Sequence, residues 1–521
     1  MLRLAKLILL TGLLGSATVF AGIRETLPTF HWAYDYIDEL RVHGYFEDFY
    51  ILNRPFTRGQ IAEYLIKLDQ RRQNGAVHLS KADCWLFDRL HAEFAPEMQR
   101  LLQKSQSNRA SVGTYFIQEF DRNDERSVGH FRLRSKASIA IANRVELYNG
   151  IVFDNRLDED STYIGKRQGD IASFTEQAYI TTGFKNFEVK LGRDFVRFGS
   201  GHSATLMISD FARPMDQLWA SYTHKYFKFS FFTSSLDPMM VPDTSSGTLV
   251  RANRFLAAHR LEFKLFHRFY FGLTESILYG GPASNWQLAF LNPFIFYHGV
   301  QLNGPVTGNT LGSIDFALYP VQNLGVYGEL LIDDIQLEHS KPADLEPNEL
   351  GFILGLQITD PLQMSGTRFI GEYSRVTNRT YNTQDPWEKF LHRGRPIGHF
   401  LGNDFDRWDL NLSQWLLPGL QVRVGYEHIR RGEGRIQNKF DQPWLQFTVE
   451  QGYSEPFPTG VVETSNIGKF QIVYHPSANL RFNLSGKFRN VDNVENQLGR
   501  NNSEFSFILG LWFEGDLRLG F

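Results

Sequence analysis

The last stretch, SEFSFILGLWFEGDLRLGF from Ser503 to Phe521, alternates for its whole length. Phe505, Phe507, Leu509, Leu511, Phe513, Leu517 and Leu519 hold the odd positions, while Ser506, Glu514, Asp516 and Arg518 fall between them. Successive side chains of a strand point to opposite faces, so this pattern predicts a long strand with one apolar and one polar face. The same period of two recurs upstream. Leu480, Phe482, Leu484 and Phe488 alternate with Arg481, Asn483, Ser485, Lys487 and Arg489; Leu420, Val422, Val424 and Tyr426 alternate with Gln421, Arg423 and Glu427; Leu261, Phe263 and Leu265 alternate with Arg260, Glu262 and Lys264.

From Ser111 onward one unit repeats: strand, short turn, strand, long polar connection. The short turns fall near Ala142-Asn143, Lys185-Asn186, Lys225, Phe266-His267, Val321-Gln322, Pro361 to Ser365, Leu417-Pro418 and Pro476-Ser477. The longer connections lie near 121–129, 156–172, 198–213, 235–256, 280–310, 334–349, 377–404, 431–464 and 490–502, with Asp441 to Gly452 kept inside a loop despite some strand character. This predicts about eighteen antiparallel strands with tight turns at one end and long loops at the other, the asymmetry of a transmembrane barrel. Alternation alone does not separate such a barrel from a soluble sandwich. The ending on an aromatic residue, Phe521, resembles the closing signal of Gram-negative outer-membrane barrels and implies recognition by their assembly machinery.

Before Ser111 the period changes to 3.6. Trp32, Ala33, Tyr36, Ile37 and Leu40 share one helix face, with Gly44 as the stop. Thr57 and Gln60 form a capping box ahead of Ile61, Tyr64, Leu65 and Leu68, and a third helix starts near Ser80 with Asp83 three residues on, packing Trp85, Leu86, Leu90 and Phe94. The phrases HWAYDYIDELRVHGYFEDF and NRPFTRGQIAEYLIKL resemble S-layer homology modules, which elsewhere hold cell-wall polymers; the acidic residue usual after Thr-Arg is missing from Thr57-Arg58-Gly59-Gln60. Residues 1–21, with Arg3 and Lys6 ahead of Leu7 to Leu14 and a Val19-Phe20-Ala21 end, read as a secretory signal peptide. The expected organisation is therefore a leader over 1–21, a helical periplasmic domain over 22–110 that packs on or plugs the barrel, and an outer-membrane barrel over 111–521.

The 521 residues carry 54 Lys and Arg against 57 Asp and Glu, a net charge of -3, and a mean hydropathy of -0.30. That balance argues against nucleic acid as a partner, because phosphate neutralisation needs a basic excess. Aromatics make up 14%, with 45 Phe, 21 Tyr and 9 Trp, which suits interfacial girdles and sugar stacking alike. A lone Cys84 allows no intrachain disulfide, and the 15 His show no paired metal-ligand spacing, so no metal or cofactor is expected.

Two segments break the alternation: GRDFVRFGSGHSATLMISDFARPMDQL over Gly192 to Leu218, and LAFLNPFIFYHG over Leu288 to Gly299. With the general plan, they resemble the capsule assembly family typified by the outer-membrane lectin Wzi. The resemblance implies an eighteen-stranded barrel with a periplasmic helical bundle that binds capsular polysaccharide at the surface. Ser200, His202, Ser203 and Asp210 offer the residue types of a nucleophilic site, but Gly199-Ser200-Gly201-His202-Ser203 is no nucleophile elbow, and no catalytic residue is expected. Sugar recognition needs planar hydrogen-bonding groups beside aromatic faces. Arg197, His202, Asp210, Arg213 and Asp216 supply the first, and Trp286, Tyr297 and His298, with Phe296, the second. The loop 377–404, with Trp387, Lys389, His392, Arg393 and Arg395, is a further surface whose cations suit an acidic polysaccharide. The expected role is a non-enzymatic lectin that retains capsular or related polysaccharide, surrounded by outer-membrane lipid and lipopolysaccharide. The rival is a porin or substrate-specific channel with a wall-associated helical domain, and an open or a filled lumen decides between them.

Overall fold

The computed structural model describes residues 22–520 apart from 48, 125, 159, 161, 164, 244–246 and 305–306. The expected leader and the terminal Phe521 lie outside the described residues.

Among these residues eighteen strands form the wall: β1 (Arg109–Asn123), β2 (Ser127–Ile141), β3 (Val145–Asp154), β4 (Ile171–Phe184), β5 (Phe187–Asp194), β6 (Met215–Thr223), β7 (Phe227–Ser235), β8 (Leu249–Leu265), β9 (Phe269–Pro282), β10 (Asn309–Val321), β11 (Leu324–Asp334), β12 (Glu349–Thr359), β13 (Thr367–Val376), β14 (Phe405–Leu417), β15 (Leu420–Arg431), β16 (Glu463–Ser477), β17 (Leu480–Asp492) and β18 (Asn502–Gly520). Each pairs antiparallel with its sequence neighbour. β18 returns to β1, from Arg109 opposite Gly520 to Asn123 opposite Ser506, and the barrel closes without an edge. The long alternation at the end of the chain is this closing seam.

One expected loop is absent. β1 and β2 run on past 121–129 and leave only 124–126 between them, with Asp121 opposite Val128 and Arg122 opposite Ser127. Polar residues that read as a loop are strand ends that extend beyond the apolar band. The β16–β17 turn falls at 478–479, slightly beyond its expected place. The segment 441–452 holds a short 3-10 turn, Pro443–Gln446, and stays a loop.

Among the described residues three helices precede the wall: α1 (Ala33–Val42), α2 (Arg58–Gln73) and α3 (Lys81–Leu102). Thr57 with Gln60 and Ser80 with Asp83 form reciprocal capping boxes, as their spacing predicts. Gly44, at φ +81, turns the chain out of α1 in a conformation that disfavours a side chain. The helices cap the short-turn end of the barrel. Arg24 Nε donates to Asn143 O at 2.9 Å, Tyr50 Oη to His224 O at 2.6 Å, Asn323 N to Val42 O at 2.9 Å, and Trp415 Nε1 to Glu39 Oε1 at 3.0 Å. Four different turns and the end of β14 are gripped in this way when the His43–Asp360 contact at 3.5 Å is included.

A hydrophobic core fills the lumen beside β6 to β12, while a polar crevice remains beside β13 to β18. The segment 195–214 folds inward, and its Leu206, Met207 and Ile208 join Phe198, Phe232, Leu256 and Leu278 in a core continuous with that of the cap. The loop 377–404 closes over it from the long-loop end: Tyr381 Oη donates to Leu206 O at 2.5 Å and Ser209 N to Ile397 O at 2.8 Å. Arg254 of β8 donates to the carbonyls of Trp387, Lys389 and Leu391 at 2.7 to 2.8 Å. Inward charges of the wall pair with one another or with these insertions, as Arg260 does with Asp315 at 2.7 Å, both side chains 1% exposed.

Candidate functional site

The structure separates the sequence-predicted residues into three places. Arg197 is inside the barrel, 5% exposed, with its guanidinium on Gly201 O and His202 O and 3.5 Å from Asp210. It staples the inward loop, its guanidinium turned to backbone carbonyls inside the barrel rather than to the surface where the sugar site was expected. The physical reason is the carboxylates that wait in the lumen: Glu329 accepts from Gly201 N and Leu206 N at 2.6 and 2.7 Å, and Glu372 accepts from His202 N at 2.6 Å. Side-chain oxygens of the wall thus satisfy three backbone amides of the inward segment. His202 therefore faces a polar crevice of about 530 Å³ inside the barrel, beside Asp35, Arg368, Arg423 and Lys469, rather than the surface. Ser200 Oγ donates to Gly328 O at 2.9 Å while Asp210 sits on Arg197, so the partners of both lie outside a nucleophilic relay.

Trp286, Tyr297 and His298 lie on the outside of the wall. Residues 283–304 fold back over β8, β9 and β10, where Trp286 packs on Phe255 at 4.7 Å and His298 Nδ1 meets Thr310 Oγ1 at 3.1 Å. Tyr297 is fully buried between Phe290 and the outward face of His259. These three gather on the outside of β8 to β10, apart from the cavity that Arg213 lines, with Tyr297 buried and Trp286 44% exposed.

Arg213 and Asp216 stay near the long-loop end. Asp216 is exposed and forms a forked pair with Arg193 at 2.6 and 2.8 Å. Arg213 Nη2 donates to Asp160 Oδ2 at 2.8 Å and to Thr162 Oγ1 at 3.2 Å, and Arg395 donates to the same Asp160 oxygen. Arg393 stands beside them, its backbone N–H held by Asp237 at 2.7 Å. A cavity of about 500 Å³ opens here, lined by Phe153, Tyr163, Lys166, Phe174, Arg213 and Arg393. Burial and then the charge of Arg395 push the Arg213 guanidinium below its ordinary pKa, and burial and then Arg193 do the same to Arg393. Burial would raise the Asp160 carboxyl, but hydrogen bonds from Thr162 and the charges of Arg395 and Arg213 hold it below its ordinary value. Among the described residues, Arg213, Arg393, Arg395 and Lys166 outnumber Asp160 and Asp237 here, next to aromatic rings. Arg393 and Arg395 were legible as cations of a surface loop. Phe153, Asp160, Tyr163, Lys166 and Phe174 were not, since only the closed barrel brings 153–174 beside 213 and 393.

The described residues contain one grouping with metal-ligand proximity, His31, Glu93 and Glu514. His31 Nδ1 accepts the Ala33 N–H at 3.2 Å, which leaves Nε2 to carry a hydrogen towards Glu514 at 3.7 Å, and Arg58 takes Glu93 at 2.8 Å. The grouping is an ion-pair seam between the cap and β18.

A closed eighteen-strand barrel with a helical cap and an occupied lumen is an outer-membrane β-barrel of the plugged kind. The chain belongs to the capsule assembly protein Wzi family, whose model matches residues 99–504. α1 and α2 precede that match, and the likeness to S-layer homology modules has no support from it. Among solved structures, the chain is similar to Wzi of Escherichia coli, an outer membrane protein involved in group 1 capsule assembly and a carbohydrate-binding β-barrel, with a TM-score of 0.60, 12% identity, and 94% of this chain and 99% of that one covered. That likeness is one of fold. OprD of Pseudomonas aeruginosa aligns at a TM-score of 0.44 and 9% identity over 78% of this chain and 95% of its own, and OpdK with vanillate at 0.45 and 10% over 78% and 99%. Both likenesses are too remote to bear on function. No curated sequence matches the chain.

Proposed function

We propose that this protein is a non-enzymatic, lectin-like outer-membrane protein that holds capsular or related polysaccharide at the cell surface. The long-loop end faces outward, the helical cap lies in the periplasm, and lipid and lipopolysaccharide surround the wall. The observation that supports the binding role is the mouth itself: Arg213, Arg393 and Arg395 around Asp160, with Tyr163, Phe153 and Phe174 lining a cavity wide enough for a sugar ring. Guanidinium groups hydrogen-bond hydroxyl and carboxylate oxygens in a plane, and rings cover the apolar face of a pyranose. Wzi of Escherichia coli, which shares the fold, is a carbohydrate-binding barrel in capsule assembly. Of the sequence-predicted binding residues, Arg213 belongs to this mouth and Asp216 stands at its rim; Arg197, Asp210, Trp286, Tyr297 and His298 have structural roles, and His202 faces the inner crevice.

The test is the partition of surface polysaccharide between cells and medium. A strain lacking the gene makes the same total but releases it, and Arg213→Ala with Arg393→Ala reproduces the release with the barrel still in the membrane. Unchanged attachment in the deletion strain refutes the role, and full attachment in the double variant refutes the site.

A further inference from the structure

The connection between β9 and β10 should be a surface loop, yet it lies against the wall. From Ser276 to Ile314 the sequence contains no Asp, Glu, Lys or Arg, in a chain that is 21% charged. Two short helices, α4 (Leu288–Leu291) and α5 (Tyr297–Asn303), lie in the middle of this stretch. Phe290 and Tyr297 turn inward and bury Phe255, Ala257, Ile277 and Tyr279 on the outward faces of β8 and β9. Phe294 stacks on Phe229 of β7 at 5.3 Å and 10°.

What the segment covers is unusual for a lipid-facing wall. His259 and Glu275 point outward from β8 and β9 and pair at 3.1 Å beneath it. Glu275 also accepts the backbone N–H groups of Tyr297 at 3.0 Å and His298 at 2.8 Å, and Gln301 Nε2 donates to Gly308 O at 2.5 Å. An ionisable pair and open backbone groups are costly in hydrocarbon unless satisfied within the protein. The opposite side of the segment presents Leu288, Phe294, Phe296 and Leu302, of which Phe294 is 82% exposed.

Height decides what meets that side. Strand residues of a tilted barrel climb roughly 2.5 Å each along its axis, so Glu275 and Ile277 sit about 15 to 20 Å above the start of β9, within an apolar band about 25 Å tall. Neighbouring outward residues, Leu273 and Ile314, belong to the same belt. We propose that residues 283–304 form a membrane-embedded clamp, whose Leu288, Phe294, Phe296 and Leu302 pack against lipid acyl chains while its inner face shields the His259–Glu275 pair.

The test uses the full chain with Cys84→Ser and a single new cysteine, Phe294→Cys or Leu302→Cys, carrying a nitroxide in phosphatidylcholine–phosphatidylglycerol vesicles. Leu511→Cys on the wall and Lys166→Cys at the mouth are the lipid and water references. Oxygen accessibility at 294 and 302 should match 511 and exceed nickel-chelate accessibility several-fold. Nickel-favoured relaxation like that at 166 overturns the clamp. Exclusion of both reagents with spin–spin broadening also overturns it, because a second copy then covers the face. If 511 itself favours nickel, the membrane reading of the barrel fails, and the clamp with it.

Discussion

His43 ties the cap to the barrel through charge, and its contribution should disappear in alkaline solution. Its ring is buried between Asp83 of α3, 2.7 Å from Nδ1, and Asp360 of the β12–β13 turn, 3.5 Å from Nε2. Burial alone would lower its pKa, but Asp360 and Asp83 outweigh burial and raise it to about 9. A group raised in the docked state binds its proton more tightly there, so its stabilisation is complete below the free value of about 6.5 and is lost as pH rises through 9. The rise from about 6.5 to about 9 is worth roughly 3 kcal/mol of folding stability, of which only the share due to Asp360 acts across the seam, since Asp83 belongs to the cap itself. The assay is urea unfolding in detergent micelles, followed by fluorescence at the cap seam, where Trp85 lies 4.8 Å from Trp415. The cap midpoint should be flat below pH 6 and fall between pH 6.5 and 9.5. His43→Gln should start lower and show no such fall. A His43→Gln profile parallel to that of the unaltered protein would refute the linkage.

Asp315→Ala leaves Arg260 charged and buried, and should cost about 3–5 kcal/mol, whereas replacing both by apolar residues of similar volume should restore most of it; thermal unfolding of the purified barrel measures both. Burial, and then Asp385, raise the Glu388 carboxyl in the loop 377–404 to about 7. The folded loop therefore favours the protonated form, and its stability should fall as pH rises from about 4.3 through 7. Proteolysis of the loop should speed up over that window, and Glu388→Gln should abolish the change. In planar bilayers the protein should conduct far less than an open barrel of eighteen strands. A large, steady conductance would show that the lumen core is displaced and would favour the channel.

The wall was legible because its signal is local: Leu480 to Arg489 and Phe505 to Leu519 each state which side faces lipid, and a shift of one residue would invert every side chain. The caps at Thr57 and Ser80 are equally local. The fate of the insertions is not. Gly192 to Leu218 looks like an exposed, polar, glycine-rich loop, and nothing near it in sequence says that Glu329 and Glu372 will take its amides. Gly201 marks the closeness of that fit, since a Cβ there would collide with Ala204 O. Leu288 to Gly299 misled for a related reason. An aromatic cluster is equally suited to stacking on sugar and to packing against a wall, and only β8 and β9 placed under it decide between them.

Charge distribution separates holding the fold from holding a ligand. Inside the barrel several cations are matched by carboxylates: Arg407 pairs with Asp409 and Glu427, Lys469 with the same two, and Lys136 with Asp516 and Glu25. Such pairs offset desolvation only when geometry and further hydrogen bonds are good, which favours a fixed plug over an exchangeable one. At the mouth the ratio reverses, with Arg213 and Arg395 sharing Asp160 while Arg393 and the exposed Lys166 stand beside them. Neighbouring guanidinium groups that depress one another's pKa are stabilised by an added anion more than by a neutral ligand. Among the described residues the mouth, with Arg213, Arg393, Arg395 and Lys166 against Asp160 and Asp237, is thus left short of negative charge. Under the proposed function that shortage selects a polysaccharide bearing carboxylates, with the sugar ring set against Tyr163.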